Sequence, residues 1–395
     1  MMPAEMTRRP DAATIDILRT LVGFPTVSRD SNLDLIGWVY DYLAGFGIES
    51  RLTYSADRRK ANLFASIGAG DGGIVLSGHT DVVPVDGQNW TSDPFTLSER
   101  DGLLYGRGTC DMKGFLAAAL ARVPSFIQAP RAQPLHLALS FDEEVGCLGI
   151  PHLLADLQQA GIRPAACIVG EPTSMRAVVG HKEGSVYNVE VEGLEVHSSL
   201  APQGVNAIEY AARIVMKVWE MGQRLKQTER WHEGYEVPYT TLQTGVIQGG
   251  HAANIVPRSC TLRFDIRALP WTDSNELVAE IQAYIDNVLV PEMRLVHPGA
   301  GIRMTRKGRV PGFALDVDAP LTRHVQRLAR SNAAPAYVTF GSEAGLFQQA
   351  GIPAVICGPG SISQAHKPDE YVALEQLALC EDFLDRLAVT ALAAV

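Results

Sequence analysis

At 395 residues the chain exceeds the roughly 250 to 300 residues over which one hydrophobic core keeps growing, so two domains are expected. Its 46% hydrophobic and 20% charged residues are those of an ordinary globular protein, which excludes the disordered and fibrous classes. A net charge of -10 argues against a nucleic-acid partner, which requires clustered Lys and Arg, and favours a small-molecule substrate.

The N-terminal stretch MMPAEMTRRPDAATIDIL carries charge but no continuous apolar h-region. No later apolar run reaches the ~20 residues that span a bilayer, so a cytoplasmic protein with no membrane partner is expected. Cysteines at 110, 147, 167, 260, 357 and 380 form no CxxC pair, the pattern of reduced thiols rather than of a disulfide framework or zinc finger.

In chain order, ATIDILRTLVGFPTVS and LIGWVYDYLAGFGI place apolar residues at helical spacing, predicting two opening helices, the second closing on Gly45 and Gly47. Short β-rich runs follow: GIVLSGHTDVVP, LHLALSF, AACIVG and, much later, PAVICGPG. They alternate with helix-like segments such as MKGFLAAALARV, the pattern of an α/β fold with a mixed sheet flanked by helices. Between about Gly184 and Gly308 the pattern becomes β-α-β-β-α-β, the ferredoxin-like split βαβ arrangement. The expected organisation is a catalytic domain formed by residues 1–184 and 309–395, interrupted by a smaller α+β domain at 185–308.

Residues able to carry chemistry gather near predicted strand ends. In SGHTDVVP, His79 and Asp81 are two apart and would share a strand face, placing an imidazole beside a carboxylate. That suits a metal-bound histidine with an orienting acid, and equally a structural hydrogen bond. Asp111 in GRGTCDMKG sits where a glycine-rich loop meets a helix start, where a carboxylate is by default an N-terminal cap. In SFDEEVG, Asp142, Glu143 and Glu144 are either a solvated acidic loop or a set in which one side chain binds metal while the next handles a proton. Glu171 in IVGEPT and His366 in GPGSISQAHKPDEYV complete the group, each expected just beyond an apolar strand.

Ligands of open α/β sheets bind outside the carboxyl ends of the strands, so the shared address favours one joint site over five separate structural explanations. Two histidines with three carboxylates suit Zn2+ or Co2+ and are too nitrogen-rich for a Mg2+ or Ca2+ cage. They suit two ions better than one. If Asp111 bridges, each ion gains a histidine and a glutamate of its own.

The segments GHTDVVP, GRGTCDMKG, DEEVG, GEPT and AHKPDEY occur in the order found in a known family. Over nearly its whole length the chain resembles the metallopeptidase-related deacylases, which include acetylornithine deacetylase, succinyl-diaminopimelate desuccinylase, glutamate carboxypeptidase and aminoacylase. The resemblance implies that His79 and Glu171 hold one metal and Glu144 and His366 the other. Asp111 would bridge, Asp81 would stand behind the ligands, and Glu143 would be the base that deprotonates the bridging water. It implies a cis peptide bond between Asp111 and Met112, and a lid and dimerisation role for the inserted domain.

His197 in EVHSS matches a histidine that reaches the partner subunit's site to stabilise an oxyanion, with an exposed lid residue as the plain alternative. Asn254 in HAANIVP and Arg267 in FDIR match lid positions that hold the substrate carboxylate, for which an Arg fork is apt. Arg267 reads equally as a strand-face residue in a surface ion pair. Within the family, TSDPFTL with LYGRGTCDMKGF, QGVNAIE and GPGSISQAHKPDEYV are most similar to the acetylornithine deacetylases. That similarity implies hydrolysis of N2-acetyl-L-ornithine to L-ornithine and acetate, a step of arginine biosynthesis, by a homodimer. Other N-acyl amino acids, succinyl-diaminopimelate and dipeptides are the alternative substrates.

Three competing readings are weaker. Gly68, Gly70 and Gly73 satisfy GxGxxG, but the stretch precedes the strand GIVLSGH and reads as a hairpin turn, not as a dinucleotide-binding strand-to-helix turn. GSEAG has its serine in the wrong place for a GxSxG elbow. A non-catalytic binding paralogue would have lost the base or a ligand, and Glu143 and all five ligands are present.

Overall fold

The computed structural model describes residues 8–129 and 133–390, so the first seven residues of the N-terminal stretch lie outside the described residues. The strands are β1 (Ser50–Tyr54), β2 (Ala61–Ile67), β3 (Ile74–His79), β4 (Ser98–Arg100), β5 (Leu103–Tyr105), β6 (Leu135–Ser140), β7 (Ala166–Pro172) and β8 (Val178–His181). They continue as β9 (Glu183–Glu192), β10 (Thr241–Gly249), β11 (Ser259–Ala268), β12 (Gly301–Val310), β13 (Phe313–Ala314), β14 (Ala336–Val338), β15 (Ala354–Gly358) and β16 (Tyr371–Ala373). The chain forms two compact units, one of Met1–Gly180, Ala314–Tyr337 and Ser342–Val395, the other of His181–Phe313 and Val338–Gly341. These limits fall slightly outside Gly184 and Gly308, because β9 and β12 run beyond those glycines.

The first unit is a mixed α/β structure around a sheet ordered β1-β2-β6-β3-β7-β15-β8-β13, with β14 paired to β8. Its centre, β6-β3-β7-β15, is parallel, and the flanking pairs β1/β2, β2/β6 and β15/β8 are antiparallel. Every residue of those four central strands is buried, as expected where helices cover both faces of a parallel sheet. The opening helices Ala12–Val22 and Leu33–Ala44 form where the apolar spacing places them.

The helix Lys113–Ala121 is buried along almost its whole length and presses Phe115 onto β7 at Gly170. A Cβ at Gly170 would lie 2.0 Å from the Phe115 ring, so only glycine lets helix and strand approach this closely beside Glu171.

The turn holding Gly68, Gly70 and Gly73 is not a hairpin. β6 inserts between β2 and β3, so the turn carries the chain past one strand, and Gly73 is drawn against the carbonyl of Pro134, the residue before β6. Local glycine content announces a turn but not which strands it joins.

The second unit has its own core and a sheet ordered β10-β11-β9-β12, antiparallel throughout. With helices Ala207–Thr228 and Ser274–Tyr284 in sequence, this is the β-α-β-β-α-β arrangement expected. Among the described residues no helix is long and apolar enough to cross a membrane, and all six cysteines are unpaired and buried.

Candidate metal centre

The parallel strands deliver most of the site. His79 ends β3, Glu171 lies within the last residues of β7 rather than beyond it, Glu143 and Glu144 follow β6, and His366 follows β15. Asp111 does not cap the helix that follows: Met112 holds that position, and the Asp111 carboxylate turns to the histidines instead. Its Oδ1 lies 3.0 Å from His79 Nε2 and its Oδ2 lies 3.3 Å from His366 Nε2. Glu171 Oε1 is 3.9 Å from His79 Nε2, and Glu144 Oε2 is 3.0 Å from His366 Nε2. The Asp111–Met112 peptide bond is cis.

Asp81 stands behind this cluster, although not by strand alternation, since β3 has already ended at His79. His79 Nδ1 contacts the Asp81 carbonyl at 2.8 Å and lies 3.6 Å from its carboxylate. That carboxylate accepts the backbone N–H groups of Glu143 and Glu144 and the Ser28 hydroxyl, at 3.1, 3.3 and 2.6 Å. One acid thus orients the histidine and the loop carrying the two glutamates.

The three consecutive acids take three partners. Asp142 pairs with Lys60 at 2.5 Å, Glu143 accepts the Cys147 thiol at 3.3 Å, and Glu144 meets His366. Lys60, Ser28 and Cys147 escaped the sequence reading because no local pattern marks them. Glu343, inside the GSEAG stretch tested only for its serine, is a further buried carboxylate, close enough for its charge to act on Glu143 and His79. It accepts Ser77 at 3.2 Å through Oε2 and is also held by the Ser140 hydroxyl.

Ligand atoms of His79, Glu143 and Glu171, and of His79, Asp111 and Glu144, lie within 4.8 Å of one another. The donor set is therefore compact enough for divalent metal. One Glu171 oxygen is buried with no hydrogen-bond partner among the described residues, the condition expected of a carboxylate that serves a cation.

Protonation follows from this crowding. Burial raises Glu144 to about 7, with Asp111's charge adding to it, and burial pushes Glu143 and Glu171 well above the usual range. His366 is raised to about 10 by hydrogen bonds to Asp111 and Glu144. Burial works to discharge His79, but Asp111's hydrogen bond and the surrounding carboxylates outweigh it and hold the ring well above its ordinary value.

In the metal-free fold, these carboxyl groups keep protons that the unfolded chain releases near 4.5, so stability falls as pH rises from there through about 7. The histidines act with the same sign: their contribution is full below 6.5 and is lost as pH rises towards about 10. Metal binding needs deprotonated ligands and strengthens with pH. The gap in Tm between metal-loaded and chelated protein should therefore widen from about pH 6 to about pH 8. Calorimetry showing a constant gap would contradict this ligand set.

The remaining expected residues belong to the second unit. His197 is exposed, and its Nδ1 accepts the Ser199 backbone N–H at 3.2 Å, which leaves the proton of a neutral ring on Nε2. Asn254 is its neighbour: Ser198 N–H donates to the Asn254 carbonyl at 2.9 Å. Arg267, on β11, is 47% exposed and paired with Asp265 at 3.1 Å, the surface ion pair that its strand position allows.

Comparison with known proteins places this geometry. The model of peptidase family M20/M25/M40 matches residues 75–390. The chain belongs to that family. It is 38% identical to an acetylornithine deacetylase from Shigella sonnei (strain Ss046), over 91% of this chain and 92% of the relative. Among solved structures, a tripeptidase from Staphylococcus aureus superposes with a TM-score of 0.74 at 21% identity, covering 96% of this chain and 98% of that one. A dinuclear metal-binding M20 peptidase from Bacillus subtilis superposes at 0.66 with 16% identity, covering 97% and 98%. These two likenesses establish the shared M20 fold.

Proposed function

We propose that this member of the M20 family is a two-metal amide hydrolase that converts N2-acetyl-L-ornithine and water to L-ornithine and acetate, as a cytoplasmic homodimer. The observation that carries the two-metal reading is one carboxylate set between two histidines. Asp111 offers one oxygen to each ring, with Glu171 beside the first and Glu144 beside the second. His79 and Glu171 would hold one ion and Glu144 and His366 the other, with Asp111 as the ligand they would share. The N/O donor set suits Zn2+ or Co2+.

When bound, the ions supply Lewis-acid polarisation of the scissile carbonyl and acidify water. Glu143 takes a proton from the attacking water as the C–O bond forms, then delivers it to the amine nitrogen as the C–N bond breaks. The Cys147 thiol occupies Glu143 Oε1, leaving Oε2 for the moving proton. Asp81 keeps His79 and the Glu143 loop in place. The substrate assignment rests on the 38% identity with acetylornithine deacetylase over 91% of the chain.

The second unit serves as lid and dimerisation domain. His197, with its Nε2–H available as a donor, stabilises the oxyanion in a partner subunit's site, and Asn254 and Arg267 hold the substrate carboxylate. His197→Ala should remain a folded dimer with kcat lowered roughly 10^2-fold, the usual loss for one oxyanion donor. Undiminished turnover would remove His197 from the site.

The deciding experiment is a substrate panel of acetylornithine, acetylmethionine, succinyl-diaminopimelate and dipeptides, assayed with zinc- and cobalt-loaded protein. Acetylornithine should give the highest kcat/KM. A dipeptide preference would move the assignment to an exopeptidase, and turnover indifferent to chelation would remove the metals.

A further inference from the structure

Three of the five proposed ligands come from loops: Glu144, whose loop is held by Asp81, and Asp111 and His366; His79 and Glu171 are carried by the sheet strands β3 and β7. The sheet sets the spacing of the strand-borne pair. Asp111 and His366 need another device, and a buried polar network supplies one.

Glu370 and Arg107 form an ion pair at 2.6 Å, each side chain only 1% exposed. Glu370 Oε1 accepts the backbone N–H groups of Cys110 and Asp111, at 2.9 and 3.0 Å, and so grips the main chain that presents the Asp111 carboxylate. Arg107 Nη1 also donates to the Lys367 carbonyl at 3.3 Å, and its Nη2 donates to Gln88 Oε1 at 2.6 Å. Gln88 Nε2 in turn donates to the carbonyl of His366 itself at 3.0 Å. Trp90 lies against the guanidinium, 5.0 Å from ring centroid to Cζ, and donates its indole N–H to the same Gln88 oxygen at 3.0 Å. Every contact to the two site residues is to backbone, so the network acts on where the loops stand and leaves the metal-facing side-chain atoms untouched.

We infer that Arg107, Glu370 and Gln88 are positioning residues: a clasp that sets the spacing of Asp111 and His366 and thereby the affinity of the metal position at His366 and Glu144. The position at His79 and Glu171 depends on it less, because both residues stand on sheet strands, His79 opposite Ser140 in the β3/β6 ladder and Glu171 next to Pro172, which pairs with Gly358 of β15. Beyond its ring contacts to Asp111 and Glu144, His366 sits in an open loop: its side chain is 51% exposed and its backbone is left-handed, with φ 64°. An Arg fork is suited to the task because one planar group reaches a carboxylate, a carbonyl and an amide at once. The inference rests on the two-metal reading.

The test is chelator competition on metal-loaded protein, following release of each ion, alongside thermal unfolding. Removing one partner of the ion pair strands a buried charge and threatens folding, so the variants are Gln88→Leu and the double replacement Arg107→Leu with Glu370→Met, which removes both charges together. Wild type should release its ions in two steps. Gln88→Leu, which acts only on the His366 loop, should weaken the step at the His366–Glu144 position roughly 10- to 100-fold, the usual effect of residues behind metal ligands, and leave the other step nearly unchanged. The double replacement, which also frees Asp111, should weaken both steps, with the larger effect at His366 and Glu144. If the double replacement does not fold, Gln88→Leu alone decides. Equal weakening of both steps by Gln88→Leu, or a lowered Tm with neither step moved by either variant, would mean that the network is only structural and overturn the inference. Wild type taking up a single ion would instead overturn the two-metal reading beneath it.

Discussion

Glu143→Gln is expected to lower kcat roughly 10^2- to 10^4-fold, the span usual for loss of a general acid–base, while both ions stay bound. Glutamine keeps the side chain's size and its contact with Cys147 but cannot take a proton from water. Metal content is the informative companion measurement, because a Glu143 oxygen also lies within 4.8 Å of donor atoms of His79 and Glu171. A variant that lost an ion would make Glu143 a ligand, and one that turned over at the wild-type rate would end its role altogether. Burial, followed among the unfavourable charges by those of Glu144, Glu343 and Asp111, makes the ionised Glu143 costly in the metal-free fold. The chelated variant should therefore unfold no earlier than chelated wild type.

Asp111→Ala should have the larger effect on metal. Both histidines lean on this one carboxylate, at 3.0 and 3.3 Å, and its removal leaves neither proposed ion with a full set of donors. Elemental analysis should fall from about two ions per chain to one or fewer, with turnover at background, because the acidified water is lost with the ions. Retention of both ions would show that Asp111 does not bridge. Since Glu143→Gln should spare the metals and Asp111→Ala should not, the two variants separate proton transfer from metal retention in the same assay.

Much of the site was legible because strands and helices are written locally. An apolar run such as IVLSGH or LHLALS reads as a buried strand on its own terms, and the polar residues after it fall at the strand's carboxyl end wherever the sheet lies. The same locality makes β-α-β-β-α-β readable between Gly184 and Gly308. Glu370 was present in the AHKPDEY segment and went unassigned, because its task is to hold the backbone at Cys110 and Asp111, far away in sequence.

By itself the sequence determined which side chains could carry the chemistry and that all of them but Asp111 would stand at or after strand ends, since burial periodicity and the polarity of the following loops are properties of neighbouring residues. Only the tertiary structure decided who meets whom. It placed β6 between β2 and β3, sent Asp142, Glu143 and Glu144 to Lys60, Cys147 and His366, and turned Asp111 from an expected helix cap into the carboxylate between two histidines. It also exposed the Arg107–Glu370 clasp. Apart from Glu143 and Cys147, four positions apart, such pairings join residues tens to hundreds of positions apart, and they are selected by how whole strands and loops pack, which no local periodicity records.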